Sequence, residues 1–150
     1  MCGIVGYVGR RPAQELLLSG LKKLEYRGYD SAGISLISDG RIEAVRAVGP
    51  LKQLEAKLHA GAGAPVAVAS RPPTTGIGHT RWATHGRVSE ENAHPHRDSH
   101  DRVHVVVNGI VENYMTLKRG LIEQGSVITS ASVSEVKTAP EPISCSFSAT

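Results

Sequence analysis

Cys2 is the residue of this sequence with the most chemistry to offer. Removal of Met1 would leave it at the N-terminus with a thiol and a free α-amine on one carbon, so nucleophile and base would be a single residue. A free α-amine ordinarily titrates at about 7.7–8.0 and a free thiol at about 8.5, so two such groups can trade a proton near neutral pH. An N-terminal amine activating its own side chain is a recognised way to make a nucleophile. A second reading is a small buried cysteine opening the apolar run Gly3-Ile4-Val5-Gly6. Local sequence supports either.

Asn108-Gly109 is ambiguous in the same way. Between β-branched pairs it reads as a type I′ hairpin turn. The same two residues offer a carboxamide N–H and a closely approaching backbone N–H, the donors an oxyanion hole needs. Arg81-Trp82 is either a surface cation–π pair or a guanidinium that clamps a carboxylate while an indole excludes water. Five of the seven histidines lie between His85 and His104, which raises the question of a metal. His96, His100 and His104 would share a helix face, but Pro95, Asp98-Ser99 and Asp101 oppose a helix there, and no metal spacing is present. The expectation is no metal and no cofactor. Asp30-Ser31 beside His79 or His85 lacks the Gly-x-Ser-x-Gly elbow that would mark a serine triad.

The elements that must position these residues can be read in order. Residues 3–8 read as a buried strand. Pro12 then opens an amphipathic helix with Ala13, Leu16, Leu17, Gly20, Leu21 and Leu24 on one face, ending near Glu25. Tyr26 to Gly33 is polar and glycine-punctuated, so a loop is expected. Strands at about 34–37 and 41–47 flank the turn Asp39-Gly40, a hairpin. Pro50 starts a short helix with Leu51, Leu54 and Leu58 on one side, and 60–75 is loop. A strand at 76–80, a polar loop to Asp101, a β-branched run at 103–107 and a helix at about 111–124 capped by Gly125 complete the pattern.

Composition bounds the function classes. One domain is expected from 150 residues. The net charge is +3 with the basic residues scattered, and aromatics are sparse, so neither a nucleic-acid patch nor a stacking platform is indicated. Two cysteines, Cys2 and Cys145, form no disulfide framework, which suits a reducing, cytoplasmic compartment. Neither a signal peptide nor a membrane span is expected.

Five stretches in order carry a family resemblance: Met1 to Gly6, Leu24 to Gly33, His79 to Gly86, Asn92 to His96, and Asn108 to Tyr114. Together they resemble the glutaminase domain of class II glutamine amidotransferases, in the wording of the aminosugar-forming branch. The resemblance implies an α+β fold, the N-terminal-nucleophile hydrolase αββα sandwich of antiparallel sheets, here incomplete at the C-terminus. It implies that Cys2 cleaves the side-chain amide of glutamine, releasing glutamate, and ammonia for making glucosamine 6-phosphate from fructose 6-phosphate. Asn108 and Gly109 would form the oxyanion hole, and Arg81 would hold the substrate carboxylate. Trp82, Thr84 and His85 would form the covering loop, with Arg27 close to the nucleophile. Full-length members of the family are expected to be homo-oligomers.

The resemblance covers about residues 1–130 and then decays. Where the family has an aspartate for the glutamine ammonium, this chain has Val133, and Val107 replaces a usual histidine. The expected organisation is a partial glutaminase domain over 1–136 and an unrelated tail over 137–150, from a frame change or truncation near residue 130. Sugar isomerase domains, which in the family bind fructose 6-phosphate, are expected to be absent. A non-catalytic remnant, or the glutaminase domain of another class II amidotransferase, is the alternative.

Overall fold

One antiparallel sheet carries the fold. The computed structural model of the chain describes residues 2–61, 71–83, 87–98, 100–125 and 147–148. The sheet runs, in spatial order, β1 (Gly3–Val8), β4 (Thr75–Arg81), β2 (Ser31–Ser38) and β3 (Arg41–Val48). Between β2 and β3 the turn residues Asp39 and Gly40 take φ of 49° and 75°, the two positive values that a type I′ hairpin requires.

Helices α1 (Ala13–Leu24) and α2 (Leu51–His59) cover one face of this sheet. Ala13, Leu17 and Leu21 recur every fourth residue, share one stripe of α1 and are fully buried. They meet Ala32, Ile34 and Leu36, the inward residues of β2. Glycines on β4 let the helix rest on backbone: a Cβ at Gly76 would lie 2.9 Å from Leu17 Cδ1, and one at Gly78 3.0 Å from Leu21 Cδ1. Neither helix is capped by its own N-cap side chain. Instead the Pro73 carbonyl accepts the first N–H of α1 at 2.8 Å, and Glu25 Oε1 accepts the first N–H of α2 at 2.8 Å.

The opposite face is covered over part of its area by residues 92–98 and 100–105, which include the short ribbon β5 (His96–Arg97) and β6 (His104–Val105). Asn92 to His96 are buried there, and Asp98 Oδ1 closes the ribbon by accepting N–H bonds from Arg102 and Val103 at 2.7 and 3.0 Å. A Cβ on Gly33 would sit 2.1 Å from the His94 carbonyl oxygen, so the two backbones touch only because β2 has glycine at that point. The rest of this face is an apolar cleft of about 310 Å³ whose lining includes Val8, Ile37, Ile42 and Ile77. A second ribbon pairs β7 (Ile110–Val111) with β8 (Phe147–Ser148), and α3 (Tyr114–Glu123) buries Leu121. Gly125 follows α3 with φ 87°, the expected stop.

Several boundaries differ from expectation. Residues 3–8 do not form a buried strand: among the described residues β1 pairs with β4 alone and lies at the sheet's edge, and Val8 is 82% exposed. β2 begins at Ser31, inside the segment expected to be loop, because glycines there serve close backbone contact. The run at 103–107 contributes only His104–Val105, and Ile110–Val111 is strand, so the last helix starts at Tyr114. Helices on one face of an antiparallel sheet give the α+β class. Beyond the first sheet, the described residues form only two-residue strands. Most of the tail, and Val133 before it, lies outside the described residues. No described helix is long and apolar enough to cross a membrane.

Candidate active site

Register brings the chemistry to one end of the sheet. Gly3 pairs with Thr80 and Ser31 with Arg81, so Cys2, Arg81-Trp82 and Asp30 lie side by side where the strands end. The Trp82 N–H donates to Cys2 Sγ at 3.3 Å, and the thiol lies 3.7 Å from the Trp82 carbonyl oxygen. Backbone therefore seats the sulfur. The indole of Trp82 stands edge-on to Tyr29 at 5.8 Å and is partly exposed.

Two residues hold the end of β4 against Cys2. A Cβ on Gly28 would come 2.6 Å from the Arg81 carbonyl carbon and 2.8 Å from Trp82 N, so only glycine permits this approach. Asp30 grips the same strand twice: its N–H donates to the Arg81 carbonyl at 3.1 Å, and its Oδ2 accepts the Ala83 N–H at 2.8 Å.

Asn108 reaches the same point from the far end of the sequence. Its Nδ2 donates to the Cys2 carbonyl oxygen at 3.0 Å, and its Oδ1 lies 2.9 Å from His79 Nε2. The next residue, Gly109, has φ 156°, which a side chain would resist. The Asn-Gly pair is thus not the turn of a hairpin between its neighbours, since β6 pairs with β5 and β7 with β8. His79 is fully buried on the outward face of β4 and packs ring to ring with His94 at 4.2 Å. Burial pushes its pKa down to about 4; the Asn108 hydrogen bond opposes this and the Arg81 charge adds to it.

Arg81 is also buried, and its Nη1 donates to the Arg87 carbonyl at 3.3 Å. Asn92 Nδ2 donates to that same carbonyl at 2.9 Å, so Arg87 O is shared between the guanidinium and a buried carboxamide. Burial lowers the Arg81 pKa from the usual arginine value, opposed by Cys2 and Asp30, and the group stays charged at neutral pH. Arg27 lies over the Tyr26 ring at 5.8 Å, and its buried Nε has no hydrogen-bond partner among the described residues. Thr84 and His85 lie outside the described residues.

The structure therefore brings together Cys2, Asn108 and the Arg81-Trp82 backbone. Sequence reasoning gave Gly28 no role and weighed Asp30 and His79 only for a serine triad, although all three fall inside the Leu24–Gly33 and His79–Gly86 stretches it singled out. His94 and His96 pack ring to ring at 4.4 Å. A separate chain joins Ser35 Oγ to His104 Nδ1 at 2.7 Å and His104 Nε2 to Asp101 at 3.2 Å. Ser35 is buried in mid-strand with partners on both sides, so that chain ties β6 to the sheet.

No family model matches the sequence. The chain is 52% identical over 145 residues to a glutamine–fructose-6-phosphate aminotransferase (isomerizing) of Gloeobacter violaceus, covering 97% of this chain and 22% of the relative. It is 52% identical over 136 residues to the enzyme of that name from Synechocystis, covering 91% and 20%. The chain thus spans about one fifth of the length of the curated relatives it matches. Its fold matches a solved glutamine phosphoribosylpyrophosphate amidotransferase from B. subtilis with a TM-score of 0.70 at 24% identity, over 95% of this chain and 30% of the other. With this kinship over more than nine-tenths of its length, the chain is a homologue of part of the glutamine–fructose-6-phosphate aminotransferases, with the fold of the class II glutamine amidotransferases.

Proposed function

We propose that this chain is a glutaminase unit that hydrolyses the side-chain amide of glutamine through Cys2. The observation that carries the reading is the Asn108 Nδ2 bond to the Cys2 carbonyl, which brings a carboxamide donor to the only cysteine among the described residues. After loss of Met1 the Cys2 thiol attacks the amide carbon, and its proton passes to the Cys2 α-amine. The carbonyl π electrons move to oxygen, where Asn108 Nδ2–H and Gly109 N–H stabilise the charge, worth about 3 kcal/mol per donor. The oxyanion collapses, the C–N bond breaks, and the α-ammonium returns its proton to the leaving ammonia. Water then cleaves the γ-glutamyl thioester to glutamate and restores the thiol. The Trp82 N–H that reaches Sγ steadies the sulfur during attack.

Arg81 holds the substrate α-carboxylate in competition with the Arg87 carbonyl, and Trp82, Thr84 and His85 cover the pocket, with Arg27 beside it. The glutaminase unit is assigned to 1–136 and a distinct tail to 137–150. The whole relatives are named as aminotransferases between glutamine and fructose 6-phosphate, so ammonia made here would serve glucosamine 6-phosphate synthesis in the cytoplasm through the remaining parts of such an enzyme.

The test is to incubate purified protein with glutamine and measure glutamate and ammonia, with Cys2→Ala as control and mass spectrometry for Met1. Cys2-dependent release is expected, and its absence overturns the reading. The second reading, a non-catalytic remnant, is favoured by Val133, which offers no charge where the family's ammonium-binding aspartate stands. A lost charged partner costs about 1.5–3 kcal/mol of binding, so Val133→Asp should tighten glutamine binding by about tenfold or more.

A further inference from the structure

We propose that His79 is a positioning residue for this site: its Nε2–H fixes the Asn108 carboxamide so that the NH₂ end faces the reacting centre at Cys2. The inference rests on the glutaminase reading and deepens it.

A carboxamide has two ends of nearly equal shape, one donating and one accepting, so its orientation is set by its neighbours. The Cys2 carbonyl oxygen can only accept, which assigns the Asn108 atom 3.0 Å away as the nitrogen. The other end is then an oxygen, and it faces His79 Nε2 at 2.9 Å, so Nε2 must carry a hydrogen. An imidazole with its lone pair on Nε2 would repel Oδ1 and favour the flipped amide, whose oxygen would face both the Cys2 carbonyl and any developing oxyanion. His79 is placed to prevent that flip. It projects from a central strand, is fully buried, and is packed against the His94 ring at 4.2 Å. Its Nδ1 is buried with no hydrogen-bond partner among the described residues, which suits the nitrogen without a proton. The low pKa of about 4 keeps the ring neutral at pH 7, and of the two neutral tautomers the Asn108 oxygen selects the one with its proton on Nε2. One Asn108 Nδ2 hydrogen goes to the Cys2 carbonyl, and the second is left for the oxyanion.

Four readouts test this on the full chain. Nitrogen-detected NMR of labelled histidine at pH 7 should show His79 neutral with the proton on Nε2; a proton on Nδ1 overturns the proposal. His79→Phe should lower kcat about 100-fold with the KM for glutamine within about twofold, the loss expected when one oxyanion donor is misaimed. His79→Gln, which returns an N–H near the Nε2 position, should recover most of that loss. The decisive comparison is with Asn108→Ala. If His79 acts through Asn108, adding His79→Phe to Asn108→Ala costs nothing further, and losses that multiply overturn the proposal. Should His79→Phe fail to fold, the wild-type tautomer and the His79→Gln, Asn108→Ala pair still decide. A wild-type chain without Cys2-dependent ammonia release defeats the glutaminase reading, and with it any catalytic role for His79. The tautomer is read separately in that case, so the two failures remain distinct.

Discussion

Acidification should destabilise this chain through His79, by an amount the site allows one to work out. In the folded state burial holds the His79 pKa at about 4, against 6.5 as the ordinary value. Between those values the unfolded chain binds a proton on His79 that the folded chain does not, so stability falls as pH falls through this window. A tenfold difference in proton affinity between the two states is worth about 1.4 kcal/mol, so the full effect is about 3 kcal/mol and roughly 2 kcal/mol is already lost at about pH 5. His79→Gln removes the titration while keeping a neutral amide in the same place. Urea unfolding of both proteins at about pH 7.5 and pH 5 isolates the effect, because other titrating groups, including His104, whose pKa is also lowered by burial of its side chain, are common to both. The stability difference between wild type and variant should change by roughly 2 kcal/mol between the two pH values, with the wild type losing more on acidification. A difference that stays constant with pH would refute the placement of a neutral, buried imidazole beneath Asn108.

Two further perturbations probe the backbone contacts. Gly33→Ala would put a Cβ 2.1 Å from the His94 carbonyl oxygen, so β2 and the 92–98 segment must separate. A loss of roughly 3 kcal/mol or more is expected, read from the urea midpoint; an unchanged midpoint would contradict the contact. Asp30→Ala leaves the Ala83 N–H without its carboxylate acceptor and should cost about 1.5–3 kcal/mol. In a glutamine assay the same variant should lower kcat, because the strand end that carries the Trp82 N–H is then held by the Asp30 backbone bond alone; full activity would contradict that positioning.

The parts of the fold that were legible in the sequence are those governed by local periodicity. The Ala13, Leu17, Leu21 stripe, the Asp39-Gly40 turn and the Gly125 stop all state their roles within a few residues of themselves. What was illegible depends on partners remote in sequence. β1 looked buried because its composition is apolar, yet burial is set by what covers each face: Val5 and Tyr7 pack toward α1, whereas Val8 lines the cleft on the other face. The start of β2 was hidden because Gly28 and Gly33 look like loop residues, whereas their missing side chains make room for Arg81-Trp82 and for His94. Asn108-Gly109 has the local chemistry of a turn, and only the contacts of Asn108 with Cys2 and His79 reveal another use. The family resemblance singled out Cys2, Arg81-Trp82 and Asn108 as motif members, and the structure sets these together at one end of the sheet. The bonds that orient its members were not legible.

The seating of the sulfur by main-chain atoms of residue 82 has a consequence for how mutational maps of this region should be read. A peptide N–H is present whatever the side chain, proline excepted, so a saturation library at position 82 samples the indole and leaves the thiol's hydrogen bond untouched. The sensitivity belonging to that bond is displaced to positions that steer the chain, Gly28 and Asp30. Proline at 82 is then the informative substitution, since it alone among the standard amino acids deletes the donor at its source.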